Sequence, residues 1–305
     1  MIIIKNSEQI KLMRQAGRIT AEALMVARDE IRPGMTTKEL DTKIRRYIEK
    51  CGAKPTFLGY NGFPGSACIS INDEVIHGIP SDKVIINEGD IVKVDVGARF
   101  RGYNGDSART FAVGKVSDEA LRLISVTEQS FYEAMKVAKA GNRIGDIGHA
   151  VENFVISNGF TVVKEFTGHG VGAELHEDPS IPNFGKAGRG ARLYPGMTLA
   201  IEPMVNAGVE NIKVRKDGWT VVTADGKLSA HYENSIAITE SDPIILTEIG
   251  FDYDRLAGPD ESGSSCLPGP GNHHSGPHRR HQPSGHGTAV QSGNRGERQA
   301  GHRAF

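Results

Sequence analysis

One stretch sets the hardest condition on the fold of this chain: VDVGARFRGYNGD, from Val94 to Asp106, where a β-branched run carries an aspartate and a second aspartate follows a glycine-studded turn. Aspartate is depleted in strands because its short polar side chain competes for local backbone bonds. Val92, Val94 and Val96 alternate with Asp95, so one face of the strand suits a core and the aspartate lies on the other. A turn centred between Phe100 and Arg101 would set Asp95 and Asp106 opposite one another on one face of a hairpin. Asn104-Gly105 is a rival turn that would separate them, and turn chemistry alone leaves both open. Taken singly, either aspartate could be a solvated strand-end residue.

Helix and strand signals alternate along the chain. Ser7 opens an amphipathic helix with Ile10, Met13, Ile19 and Leu24 on its apolar side, broken by Pro33-Gly34. Thr36 with Glu39 forms a capping box for a second helix that carries Leu40, Ile44, Tyr47 and Ile48 and stops at Gly52. Strands follow, then a helix from Ser117 through Ala140 and another from about Ile144 to Asn158. Pro195-Gly196 leads into MTLAIEPMV, and Asp217-Gly218 and Asp225-Gly226 mark turns between later strands. EALMVARDEIRPGMTTKEL at Glu22 is echoed by EAMKVAKAGNRIGDIGHAV at Glu133, each followed by a helix, a glycine stop and strands. The expectation is an α+β domain of two related halves over residues 1–255. From 256 to 305 the chain is rich in Gly, Pro, Ser, His and Arg, which reads as a low-complexity, disordered tail that cannot offset its ordering entropy.

The formal net charge of −1 supplies no general pull toward DNA or an anionic membrane. No run approaches the roughly 18 apolar residues of a membrane span, and the first residues become charged too early for a signal sequence. A cytoplasmic protein is expected. Three widely spaced cysteines, Cys51, Cys68 and Cys266, fit neither a disulfide framework nor a thiolate zinc site.

Two more carboxylates sit among apolar neighbours, Glu202 in AIEPM and Glu233 in HYENS, and His169 lies in TGHGVGAELHEDP. Four carboxylates buried without compensation would repel each other and either stay protonated or unfold the site. Cations resolve this. Four carboxylates and one neutral imidazole match the charge of two divalent ions, which carboxylate bridges can hold about 3.5 to 4 Å apart. Oxygen-rich ligation with one histidine favours Mn, Fe, Co or Zn over a structural zinc site. Cys68 could instead be the nucleophile of a Cys/His hydrolase, but nothing local marks it as activated, and a small buried thiol is the simpler reading. GHGVGAE lacks the full glycine spacing of a dinucleotide loop.

The series GYNGFPGSACISINDEVIHGIP, KVDVGA, GDSARTF, FTGHGVG, LHEDP, AIEPM and HYENS, running in order from about Glu8 to Ile249, resembles the type I methionine aminopeptidases. The resemblance implies the pita-bread fold, two pseudo-symmetric halves with helices packed outside a curved antiparallel sheet. It implies that Asp95, Asp106, His169, Glu202 and Glu233 hold two metal ions, with Asp106 and Glu233 bridging. His77 and His176 match the catalytic histidines, and Tyr60, Phe63, Cys68 and Trp219 match walls of the methionine pocket. Phe57 and Leu175 fall where family members vary, often with Cys at the first and an aromatic at the second. Glu202 is the choice for moving the proton to the leaving amine. His77 would hydrogen-bond the scissile amide, and His176 would stabilise the oxyanion. His149 and His231 fall outside these roles and read as structural.

The expected activity is excision of the initiator methionine from nascent polypeptide N-termini when the second residue is small, by a monomer. A proline-specific peptidase of the same fold is the nearest rival. Such relatives usually carry an extra N-terminal domain, and this chain reaches its first family motif almost at once. A non-catalytic peptide-binding relative is disfavoured because every ligand and both histidines are present. The basic stretches with Lys186, Arg189 and Arg192 and with Lys213, Arg215 and Lys216 would suit contact with ribosomal RNA, or read as solvated loops.

Overall fold

Four α-helices frame the described residues, and a side-chain cap marks where each of the first three begins. The computed structural model describes residues 1–248, so the expected domain edge at 255 and the tail beyond it lie outside the described residues. Helix α1 spans Ser7–Glu30 and is capped by Asn6, one residue before the expected opener. The Asn6 side chain accepts from Gln9 N at 2.9 Å while the Gln9 side chain accepts from Asn6 N at 2.9 Å, a reciprocal box of the kind that stabilises by about 1 kcal/mol. Helix α2, Thr37–Lys50, has the expected Thr36 and Glu39 box, and Gly52 takes up the left-handed backbone after it, at φ 71°. Helix α3, Asp118–Val137, starts from Ser117 as expected. It stops short of Ala140, because the Asn142 side chain donates to the Val137 carbonyl at 2.9 Å and closes the end. Helix α4 covers Ile144–Ser157.

Each helix pair backs its own group of antiparallel strands. In the first half, Ile91–Phe100 pairs with Lys54–Pro55 and Ala67–Ile71 on one side and with Tyr103–Ala112 on the other. Val92, Val94, Val96 and Ala98 are fully buried against Leu24, Ala27, Leu40, Ile44 and Ile48 of α1 and α2, which leaves the other face to Asp95. In the second half, Leu123, Phe131, Ile147, Val151 and Val155 of α3 and α4 pack on Leu199, Ile201, Val205 and Ile236. Those strand residues belong to a five-stranded group ordered Ile244–Ile245, Asn234–Ala237, Thr198–Ile201, Gly168–Gly170 and Glu177–Ile181, and to a three-stranded group of Ser229–His231, Met204–Asn206 and Thr161–Val162. A further group joins Glu74–Ile76, Val221–Thr223 and Ile212–Val214. The turn expected at Asp217-Gly218 lies between the last two, with Asp217 Oδ1 accepting from Trp219 N and Thr220 N, both at 2.9 Å. The architecture is α+β and two-halved, with the helices outside the strands.

The central hairpin differs from expectation by one step. Phe100 pairs with Tyr103, so the turn is Arg101-Gly102, with φ 47° and 88°. Those values suit a two-residue hairpin turn with positive φ at both positions. Asp95 therefore faces Ala108, and Asp106 faces Gly97. The aspartates share a face as diagonal neighbours and are not directly opposed.

Asn104-Gly105 makes no turn. A Cβ on Gly105 would lie 2.6 Å from the Gly17 Cα of α1, so glycine is needed there because helix and strand touch backbone to backbone. Gly105→Ala should destabilise the protein by about 1 to 3 kcal/mol, as overpacking does. The denaturation midpoint reads this, and an unchanged midpoint would show that α1 yields freely.

Candidate metal centre

The two halves meet along the strand edge that carries the candidate ligands. Ala108 N donates to Glu233 O at 3.3 Å and Glu233 N to Ala108 O at 3.0 Å, while Ser235 Oγ donates to Asp106 O at 2.9 Å. Arg109 reinforces this seam. Its guanidinium stacks 4.0 Å from the Tyr232 ring centroid and donates to Glu233 O and to Asn234 Oδ1. Asp106 and Glu233, from opposite halves, thus meet at a doubly bonded junction.

A cavity of about 540 Å³ opens over this junction and is lined by Asp95, Asp106, His169, Glu202 and Glu233, with His77 and His176. Ligand atoms of Asp106, His169 and Glu233 all lie within 4.8 Å of one another. His169 Nε2 is 3.5 Å from Asp106 Oδ2 and 3.6 Å from Glu202 Oε1. His169 Nδ1 lies 2.8 Å from Gly170 O. A carbonyl accepts only from a protonated Nδ1, so Nε2 is the nitrogen turned to the carboxylates and the one a metal would take.

Asp95 Oδ1, Asp106 Oδ1 and Glu233 Oε1 are buried with no hydrogen-bond partner among the described residues. Orphaned carboxylate oxygens at this density are costly unless a cation takes them. The residues present therefore fit divalent ions of the Mn, Fe, Co or Zn kind. Burial, with Asp106 second, pushes the carboxyls of Asp95, Glu202 and Glu233 well above the usual carboxylate range.

The histidines around the ligands are neutral. Burial holds His77 down to about 3, and burial with neighbouring His169 and His77 does the same to His176, to about 3. His77 has φ 60°, left-handed backbone that a non-glycine residue occupies only when its surroundings hold it, and it stands edge-on to Phe166 with ring centroids 5.5 Å apart. His176 stacks against His169 with centroids 4.1 Å apart, and its Nδ1 is 2.9 Å from Tyr60 Oη.

Beside the carboxylates, Phe57, Phe63, Cys68 and Leu175 form a buried apolar cluster, with Tyr60 and Trp219 packed against it. Phe63 and Trp219 meet edge to face at 5.3 Å. Cys68 pairs across the sheet with Asp95, and burial raises its thiol well above the ordinary value. A thiol so held is no nucleophile, which agrees with the packing role over the Cys/His alternative. Phe57 needs Gly97, since a Cβ there would lie 2.6 Å from the Phe57 ring.

The five candidate ligands, His77, His176 and Phe57 thus line one cavity, and Tyr60, Phe63, Cys68, Leu175 and Trp219 cluster with Phe57. Two more were not foreseen. Phe166 lines the cavity. His231, read as structural, lies with Nε2 3.8 Å from Glu202 Oε2, both ring nitrogens lacking a hydrogen-bond partner among the described residues. Its place one turn of alternation before Glu233, in HYE, was the available signal. His149 stays apart, bonded to Gly185 O and Asn153 on α4.

Residues 11–240 match the model of metallopeptidase family M24. The methionine aminopeptidase of Clostridium acetobutylicum is 52% identical over 247 residues, covering 81% of this chain and 99% of that protein. The crystal structure of a methionine aminopeptidase from Thermotoga maritima superposes with a TM-score of 0.80 at 46% identity, covering 81% of this chain and all of that one (100%). A prolidase from Pyrococcus furiosus shares the fold at a TM-score of 0.65 and 25% identity, and this chain covers 66% of its length. The chain belongs to metallopeptidase family M24, among the methionine aminopeptidases of type I.

Proposed function

We propose that the protein removes the N-terminal methionine of new polypeptides whose second residue is small. The observation that carries this reading is the junction of an oxygen-rich ligand cluster with two neutral histidines and a thioether-sized apolar cluster around one cavity. Asp95, Asp106, His169, Glu202 and Glu233 would hold two divalent ions there. Bound there, such ions would make hydroxide available near neutral pH and polarise the scissile carbonyl.

The chain's own residues do the rest. Tyr60, Phe63, Cys68 and Trp219 take the methionine side chain, where sulfur–aromatic contacts add roughly 0.3 to 1.5 kcal/mol. Neutral His77 hydrogen-bonds the scissile amide. With the Tyr60 hydroxyl donating to His176 Nδ1, His176 keeps its proton on Nε2 and donates to the developing oxyanion. Glu202 passes a proton to the leaving amine. A bulky second residue beside His77 would displace the scissile carbonyl, and a misplacement of about 1 Å can cost roughly 10²-fold in rate.

Peptides beginning Met-Gly, Met-Ala and Met-Ser should therefore be cut well, and Met-Lys or Met-Phe poorly. kcat/KM across that series, with a Gly-Pro dipeptide alongside, tests this. Equal cleavage of all five, or a preference for the Gly-Pro dipeptide, would move the protein toward its proline-specific relatives. A monomer working in the cytoplasm belongs to the same proposal. So does ribosomal contact through Lys186, Arg189 and Arg192. Arg215 is less free for it, being paired with Glu74.

A further inference from the structure

Ahead of α1, Lys5 is buried, with only 3% of its side chain exposed, and it pairs with Glu177, whose side chain is 5% exposed. Charges so far from water carry a desolvation cost that often exceeds their attraction, and apolar replacements are often as stable. The pair therefore asks for a reason beyond stability.

Its surroundings are built for it. Lys5 Nζ also donates to Ile3 O at 3.1 Å, and Lys5 N donates to Gly196 O at 2.8 Å. A Cβ on Gly172 would lie 2.4 Å from Glu177 Oε1 and 2.7 Å from Lys5 Cε, so only glycine leaves the pair its room. The second oxygen of Glu177 accepts from Glu174 N at 3.3 Å. The segment from Gly172 to Glu177 thus curls around the Lys5 ammonium. At its other end, the Asn104 side chain donates to Gly172 O and Ala173 O, both at 3.0 Å. Between these two anchors lie Leu175, in the apolar cluster, and His176, at the cavity.

We propose that Lys5 is a positioning residue for His176: the N-terminal segment reaches across to fix, through Glu177, the segment that aims the His176 ring at the reacting carbonyl. The inference rests on the reading of His176 as oxyanion donor. A displacement of the ring by about 1 Å would cost on the order of 10²-fold in rate with little effect on substrate binding.

The test compares Lys5→Met, Lys5→Arg, the doubly neutral Lys5→Met/Glu177→Gln, His176→Ala and Lys5→Met/His176→Ala in the metal-loaded protein, with kcat and KM taken separately on a Met-Gly peptide. Lys5→Met should lower kcat by about ten- to a hundredfold with KM nearly unchanged, and Lys5→Arg should restore most of it. Adding Lys5→Met to His176→Ala should cost little more, because both act through one ring. Should Lys5→Met fail to fold, the doubly neutral variant, which leaves no lone buried charge, must show the same loss of kcat. Normal kcat in either variant, or full additivity with His176→Ala, overturns the positioning role. Normal turnover by His176→Ala overturns the oxyanion reading itself, and the positioning role with it.

Discussion

Glu202→Gln should yield a folded protein whose kcat is lower by about 10² to 10⁴, the usual loss when an acid–base group is removed. Glu202 lies between two imidazoles, 3.6 Å from His169 Nε2 and 3.8 Å from His231 Nε2, so an amide of the same shape fits the space. What it loses is the negative charge and the ability to take up a proton. Burial and the neighbouring Asp106 push the Glu202 carboxyl upward, so in the metal-free protein a neutral amide replaces a carboxyl that already favours its neutral form and the melting temperature of that state should hold. Circular dichroism and thermal unfolding beside single-turnover kinetics separate the two effects. Turnover within a few-fold of the parent would remove Glu202 from the proton path.

Stripping the metal should invert the pH dependence of stability. With their carboxyls pushed up by burial and by Asp106, Asp95, Glu202 and Glu233 keep their protons in the metal-free fold above pH values near 4, where unfolded carboxylates ionise. The folded state then binds more protons than the unfolded one, and stability falls as pH rises until these groups ionise. The histidines act in the opposite sense. His77, His176 and His231 are each held down to about 3 by burial, against about 6.5 when unfolded, so their contribution is lost as pH falls below that value. The two sets oppose each other between about pH 4 and 6.5. Above that window the histidines add no slope, and the carboxyls set it for as long as they hold their protons, opposed by Lys93, brought to about 7 by burial.

Divalent ions hold the carboxylates charged and remove their contribution. The loaded protein should then lose stability on acidification, by up to about 1.4 kcal/mol per pH unit for each histidine. Melting temperatures on both sides of neutrality, with chelator and with Mn, give the two slopes. Slopes of the same sign in both states would mean that no cation compensates this cluster.

The parts of the fold legible in sequence are those governed by neighbours along the chain. Thr36 with Glu39, and Ser117, mark helix starts because a cap needs only the next turn. The apolar face of Val92, Val94 and Val96 follows from alternation alone. The hairpin turn falls one step beyond the Phe100-Arg101 centre because Arg101 accepts a positive φ that its side chain does not advertise. Asn104-Gly105 has turn chemistry, yet its glycine answers to Gly17 on α1, a contact invisible at short range. The carboxylates were readable as a set because buried charge is rare enough to stand out. Phe166 and His231 were not, since aromatic and histidine side chains are ordinary in any interior. Lys5 could not have been found without seeing Glu177 beside it.

The seam between the halves also sets the order in which the protein can come to life during synthesis. Ser107 and the Glu233 carbonyl it donates to are 126 residues apart. Next to Glu233, Asn234 Oδ1 accepts from Arg109 at 2.8 Å and from Thr247 at 2.9 Å. At about 5 to 20 residues per second, the first half therefore waits roughly 6 to 25 seconds for the strand that completes it. Through that interval the strand Tyr103–Ala112 presents Asp106 on an open edge, beside Asp95 on its inner neighbour, and Glu233 is the last of the candidate ligands to be made. Thr247, made later still, then closes on Asn234 beside the last ligand. A chain truncated before that residue should hold most of the helices and none of the chemistry.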